Sequence, residues 1–195
     1  MDENFIEKLS TDTGIIENIP PDELRKLHSL MKPVRLAKDD YFLRIGEIPR
    51  RIGINITGIL RLFYIDHSGK DITKHFCTRK SLAISYRAFI QREPSKFNIQ
   101  ALEETKLLTF TYENYQQLLN SHTCWQIAAR KLSELVFILK EKREAELLLM
   151  DARERYQSFI NDFPDLLNRI PQYYIASYLH ITPESLSRIR ADFKN

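Results

Sequence analysis

A chain of 195 residues with 43% hydrophobic and 28% charged residues has an ordinary soluble globular composition, long enough for one large domain or two small ones. Its formal net charge of +3 excludes an argument for nucleic acid from bulk electrostatics, and two cysteines, Cys77 and Cys124, exclude a disulfide framework or a thiolate metal set. The first five residues, Met-Asp-Glu-Asn-Phe, lack the basic and apolar regions of a signal peptide, and no run of 18 apolar residues predicts a membrane span. The cytoplasm, with both thiols reduced, is the expected location.

Residues 21–30, opened by Pro21, predict a short helix packed on the outside of a β-rich region. All five glycines lie in the first 69 residues, and four of them punctuate short segments rich in β-branched and aromatic residues. Residues 52–57, 59–65 and 71–76 predict strands, with residues 66–70 (Asp-His-Ser-Gly-Lys) as a hairpin loop, and 97–101 and 106–110 predict two more. Short strands at this spacing predict an all-β sandwich or barrel.

The pattern changes near Thr111. Residues 112 to about 155 contain no glycine or proline, and Trp125, Ala128, Leu132, Leu135, Leu139, Glu146 and Leu149 recur at heptad-like intervals, with Phe137 and Ile138 widening the stripe. This predicts a long helix of roughly 30 residues, about 45 Å. A small β domain cannot cover all of it. The seam is expected to meet the same helix of a second copy, the alternative cover being the C-terminal part of the same chain. Residues 140–144 (Lys-Glu-Lys-Arg-Glu) read as a solvated face with intrahelical pairs.

The last twenty-five residues carry the most specific chemistry. Pro171 suits a first helical turn, and Ile175, Ala176 and Leu179 share one helical face. His180 and Ile181 form a turn, with His180 in the left-handed conformation where a glycine is usual. Thr182 is a good N-cap and Pro183 a good first residue of a second helix. Leu186 and Ile189 pack inward, leaving Glu184, Ser185, Ser187, Arg188 and Arg190 outside. This is the grammar of a helix-turn-helix, which lays its second helix in the DNA major groove. A helical hairpin capping another domain is the alternative reading of the spacing. Residues 166–195 carry four cations (Arg169, Arg188, Arg190, Lys194) against Glu184 and Asp192, a balance that permits DNA without requiring it. No P-loop, dinucleotide fingerprint, Gly-x-Ser-x-Gly or His/Glu metal spacing is present, and the pairs Asp39-Asp40 and Glu103-Glu104 diverge in turns, so no enzyme is expected.

A β-rich sensor-like domain, a long helix and a terminal helix-turn-helix together resemble the Crp–Fnr family of bacterial transcription regulators, over nearly the whole chain. Residues 46–66 are similar to the family's paired roll strands, with Gly58 at the turn before a strand carrying Arg61, and residues 170–190 to its helix-turn-helix. The resemblance implies an α+β fold. Residues 1–122 would form a double-stranded β-helix (a jelly-roll-like β-roll) sensor domain, 123–152 a dimerisation helix and 153–195 the helix-turn-helix domain. It also implies a homodimer on double-stranded DNA, in contact with RNA polymerase and independent of membranes. The family's base-reading Glu and Arg, four residues apart, correspond to Glu184 and Arg188: Arg donates twice to guanine O6/N7 and Glu accepts from a cytosine amine. Thr182, Ser185, Ser187 and Arg190, with Gln172 or Tyr173 at the start of the first helix and Lys194 near the end, complete the expected DNA surface. Where family members often add a β-hairpin wing, this chain has only residues 191–195.

The family's ligand cassette is degenerate. Members that bind cyclic nucleotides place a Gly-Glu pair on the ribose and an Arg, about ten residues later, on the phosphate. Those slots hold Ile84-Ser85 and Ser95 here, and the neighbouring Lys96 offers a point charge rather than a fork. Cyclic AMP is not the expected effector. Ser85, Tyr86, Arg87, Ser95 and Lys96, with Arg92, are the candidates for another anion, and a filled, ligand-free interior is the alternative. Two cysteines cannot hold an iron–sulfur cluster, His67, His75 and Met31 read as surface or core residues rather than haem ligands, and no cofactor is expected. Neither thiol lies in a cluster of cations that would make it a redox switch. The second function class is an adaptor that keeps this fold but signals through protein contacts without DNA.

Overall fold

A proline at the first helical position costs no hydrogen bond, so helix α1 (Pro21–Leu30) starts at Pro21, with Asp22 and Glu23 facing the positive end of its dipole. The computed structural model describes Ile15 and residues 18–193. The reading of the first five residues, Gly14 and the Lys194 phosphate contact lie outside the described residues. After α1 come β1 (Lys32–Leu36), β2 (Tyr41–Leu43), β3 (Arg51–Thr57), β4 (Leu60–Ile65), β5 (Asp71–Cys77), β6 (Leu82–Ala83), α2 (Tyr86–Gln91), β7 (Asn98–Ala101) and β8 (Thr105–Thr111). Two four-stranded antiparallel sheets result, one in the order β1-β8-β3-β6 and one in the order β2-β7-β4-β5. They face each other as a roll over Leu36, Leu43, Leu60, Leu62, Phe97, Ile99 and Leu107.

The five expected strands are present, each end within one residue of its expected position. Strands β1, β2 and β6 and the short α2 are additions. Their signals are weak for physical reasons: β1 is an edge strand that carries Pro33, and β2 and β6 are three and two residues long. The hairpin loop at 66–70 forms as expected, with Asp66 Oδ1 accepting from the Ser68 and Lys70 amides and Gly69 at φ +83°. Gly58 turns β3 into β4 at φ +94°, where a Cβ would stand 2.6 Å from the Glu104 carbonyl oxygen, so no other residue fits.

The glycine-free stretch after Thr111 is three helices, ended by caps rather than breakers. Helix α3 (Tyr112–Ser121) starts at a Thr111–Asn114 capping box. The side chain of His122 then caps α4 (Thr123–Leu149), accepting from the Cys124 amide at 3.1 Å, and an Asp151–Glu154 box opens α5 (Ala152–Asp162). Helix α4, with 27 residues, is the expected long helix.

Its expected seam is corrected, however. Trp125, Ala128 and Leu132, in its first half, are buried by their own chain, near Leu27 of α1, Met31 just after it, Leu118 of α3 and Ile54 on the outer face of the β1-β8-β3-β6 sheet, whereas Leu139 and Leu149 of the same stripe are exposed. Further along, Glu146 is buried against α5, accepting from Ser158 at 2.7 Å and pairing with Arg143 at 3.1 Å. The apolar side chains left exposed include Ile127, Phe137, Ile138, Leu148 and Leu149. At 100° per residue Ile127, Phe137 and Leu148 lie on the other side of the helix from Trp125 and Leu132, with Ile138 and Leu149 on its flank. No helix of the described residues is long and apolar enough to cross a membrane.

Candidate nucleic-acid interface

Helix α6 (Gln172–Leu179) begins one residue after Pro171 and stops because His180 turns left-handed (φ 56°, ψ 44°), so that the Ile181 amide donates back to the Ala176 carbonyl at 3.0 Å. Thr182 caps α7 (Pro183–Asp192) by accepting from the Ser185 amide at 3.2 Å. Ile175, Ala176, Leu179 and Leu186 are fully buried between the two helices and α5, with Ile181 and Ile189 packed at the margin. Turn, cap and apolar faces stand where the sequence predicts them.

The outer face of α7 exposes Glu184, Ser187 and Arg188, and Thr182, Gln172 and Tyr173 are exposed beside it. Glu184 is held below the ordinary carboxylate range, first by its own backbone N–H at the helix start, then by the Thr182 hydroxyl, with Arg188 contributing last. Arg188 donates weakly to Ser185 Oγ at 3.4 Å. This side-chain arrangement offers a carboxylate acceptor and a guanidinium fork on one solvent-facing stripe. Arg190 differs from expectation: it is half-buried, and its Nη1 is enclosed without an acceptor rather than held out to solvent.

The motif is clamped onto the roll by residues that sequence reasoning did not assign to a site. Arg61 on β4 is 1% exposed, sandwiched between Phe63 (4.4 Å) and the Tyr174 ring of α6 (3.9 Å). Its guanidinium makes a bidentate pair with Asp71 at 2.6 and 3.0 Å, and Nε donates to Thr73 Oγ1 at 2.8 Å. The Thr73 amide in turn donates to Ser177 Oγ of α6 at 2.9 Å. Phe76 of β5 packs edge-on against Phe159 and Phe163. From α4, Arg143 stacks on the Tyr178 ring at 3.9 Å and donates to the Tyr178 carbonyl, while Lys142 pairs with Asp162 at 2.7 Å. The only sequence signal is an arginine in the middle of an apolar strand, which demands a buried partner.

The structure brings together only part of the expected anion site. Ser85 and Ser95 are buried and joined hydroxyl to hydroxyl at 3.1 Å, Ser95 donating its one proton to the Phe97 carbonyl at 2.8 Å. Arg87 and Lys96 are exposed; Arg87 bonds Gln91 and Glu93 on the surface, and Tyr86 bonds Ser133 of α4. Arg92 donates to the Pro49 carbonyl and stacks on Tyr112. No cation among these enters the roll, whose interior is lined by its own apolar side chains. Burial pushes the Cys77 thiol up to about 12, which makes it unreactive. His75 is edge-on to Phe163, in the seam between roll and C-terminal helices. Among the described residues, no group of three or more His, Cys, Asp or Glu side chains is placed to hold a metal ion.

The sequence matches the cyclic nucleotide-binding domain family over residues 33–122. A comparison with curated proteins gives no match. Among solved structures, FixK2 from Bradyrhizobium japonicum superposes with a TM-score of 0.70 at 17% identity, covering 84% of each chain. The regulator CLP of Xanthomonas campestris, described as c-di-GMP responsive, superposes at 0.66 with 13% identity over 90% of this chain and 92% of that one. The catabolite activator protein of Thermus thermophilus does so at 0.60 with 18% identity over 92% and 86%. Residues 33–122 therefore match the cyclic nucleotide-binding domain family, and the chain built around them shares the fold of these regulators.

Proposed function

We propose that the chain is a sequence-specific, DNA-binding transcription regulator that acts as a homodimer and does not answer to cyclic AMP. The observation that carries this reading is the exposed stripe of Glu184, Ser187 and Arg188 on α7, presented by a helix-turn-helix that the roll and α4 hold in one orientation. Arg188 supplies two donors for guanine and Glu184 one acceptor for cytosine, while Gln172, Tyr173 and Thr182 face the phosphates; Ser185 and Arg190, both half-buried, support the helix from its flank.

The dimer part rests on the exposed side of α4. Ile127, Ile138 and Leu149 are spaced eleven residues apart, a period close to that of an undistorted helix, so two nearly straight copies can pair along it. Such a pair would set two recognition helices about 34 Å apart, one turn of DNA, facing a near-palindromic site. The apolar interior of the roll and the outward placement of Arg87 and Lys96, away from the buried Ser85–Ser95 pair, support independence from cyclic AMP. Contact with RNA polymerase belongs to the same reading.

Selection from a randomised duplex library, followed by gel shift on the enriched sequence, tests the function. A two-fold symmetric site bound with equal affinity with and without cyclic AMP is the expected outcome. Failure to enrich any sequence would favour the protein-contact adaptor.

A further inference from the structure

A cavity of about 120 Å³ lies outside the roll, between the outer face of the β1-β8-β3-β6 sheet and helices α1, α3 and α4. Leu27, Ile54, Phe110, Tyr115, Trp125 and Ala129 supply a wall from each of these elements, and apart from Tyr115 and Lys80 every lining residue is apolar. The Trp125 indole N–H is already satisfied by Glu23 at 2.5 Å, so the ring turns hydrocarbon to the space. The pocket is half open to solvent, but its apolar wall gives water few hydrogen-bond partners; apolar cavities of comparable size take up benzene or xenon. An empty cavity forfeits dispersion contacts that a matching occupant restores. The volume corresponds to roughly one aromatic ring, and Lys80 is the single charged residue on a wall that is otherwise apolar apart from Tyr115.

We propose that this cavity binds one small, uncharged apolar molecule, a single aromatic ring or a short hydrocarbon. The site is distinct from the roll interior, which is lined by a separate apolar cluster. Four of its lining residues (Trp125, Ala128, Ala129 and Leu132) belong to α4, so an occupant touches the helix whose far side carries the exposed apolar seam.

Trp125 is the chain's single tryptophan and lines the cavity, so its fluorescence reports occupancy directly. The full-length protein is titrated with toluene, with benzoate as the charged control of equal ring size. The expected result is a saturable change in Trp125 emission at one toluene per chain, with benzoate at least tenfold weaker. Ala129→Leu and Leu119→Phe, which fill the space from two different helices, should each weaken toluene binding at least tenfold while leaving a cooperative thermal transition. Three results overturn the proposal. They are no saturation in the full chain, toluene binding unchanged in whichever filling variant folds, and benzoate binding as tightly as toluene. DNA plays no part in these measurements, so the proposal stands or falls apart from the regulator reading.

Discussion

His75 and Arg188 mark the two ways a single side chain matters in this molecule, one through desolvation and one through exposure. Burial pushes the His75 imidazole down to about 4, with Lys74 and Arg143 adding repulsion and Asp162 opposing it. In the unfolded chain the same group titrates near 6.5, so at intermediate pH the unfolded state binds the proton and the folded state does not. The stability this contributes is present above 6.5 and is lost as pH falls toward 4, by on the order of 2–3 kcal/mol. Urea melts of the protein and of His75→Gln at pH 7.5 and pH 5 should show a steep loss in the first and a shallower one in the second; parallel slopes would assign the acid lability to other groups. Arg188 is the opposite case. It is solvent-facing and bonded only weakly, so Arg188→Ala should leave the melting temperature within a degree or two. On the selected DNA it should cost about 1–3 kcal/mol and relax preference at one base pair per half-site. A uniform loss over all sequences would make Arg188 a phosphate contact instead.

At the level of elements, the clamp between β4, β5 and α6 decides how the helix-turn-helix is aimed. Arg61→Met keeps the side-chain volume but removes the hydrogen bonds to Asp71 and Thr73 and the stack on Tyr174, which together should cost about 2 kcal/mol. Asp71 is 41% exposed on its side chain, so it can regain water and adds little to that loss. Amide exchange at Thr73, whose N–H donates to Ser177, should speed up in this variant if the helix-turn-helix lifts from the roll; unchanged exchange would show that the Phe76, Phe159 and Phe163 cluster holds it alone. This clamp also explains what could be read beforehand. His180, Thr182, Pro183 and the apolar positions around them act within a few residues of one another, so turn and cap were legible in the chain. Arg61 meets Tyr174 across more than a hundred residues, and no local pattern encodes that meeting. The heptad-like stripe from Trp125 misled for the same reason: periodicity reports that a face is buried, not what buries it. Glu146 could have signalled it, since a carboxylate in an apolar stripe needs partners from its own fold.

For the whole molecule, one surface of α4 is left to explain. Ile138 is 58% exposed and Leu149 82%, more apolar surface than a lone chain has reason to show along one line. If that line is the dimer seam, Ile138→Glu sets two carboxylates against each other at its centre and dissociates the copies. The same change in a single chain only trades one exposed side chain for another, with an effect within about 0.5 kcal/mol. Sedimentation at micromolar concentration should therefore give a dimer for the protein and a monomer, equally resistant to urea, for the variant. The salt response then distinguishes this seam from an irrelevant one. Association with DNA releases counterions in proportion to the phosphates neutralised, so the slope of log K against log salt counts contacts. A dimer engaging two half-sites should show a steep slope, and the monomeric variant about half of it on the same duplex. Equal slopes with a dissociated variant would mean that one chain makes all the phosphate contacts, and that the two-fold arrangement on DNA is wrong even if the helix-turn-helix is right.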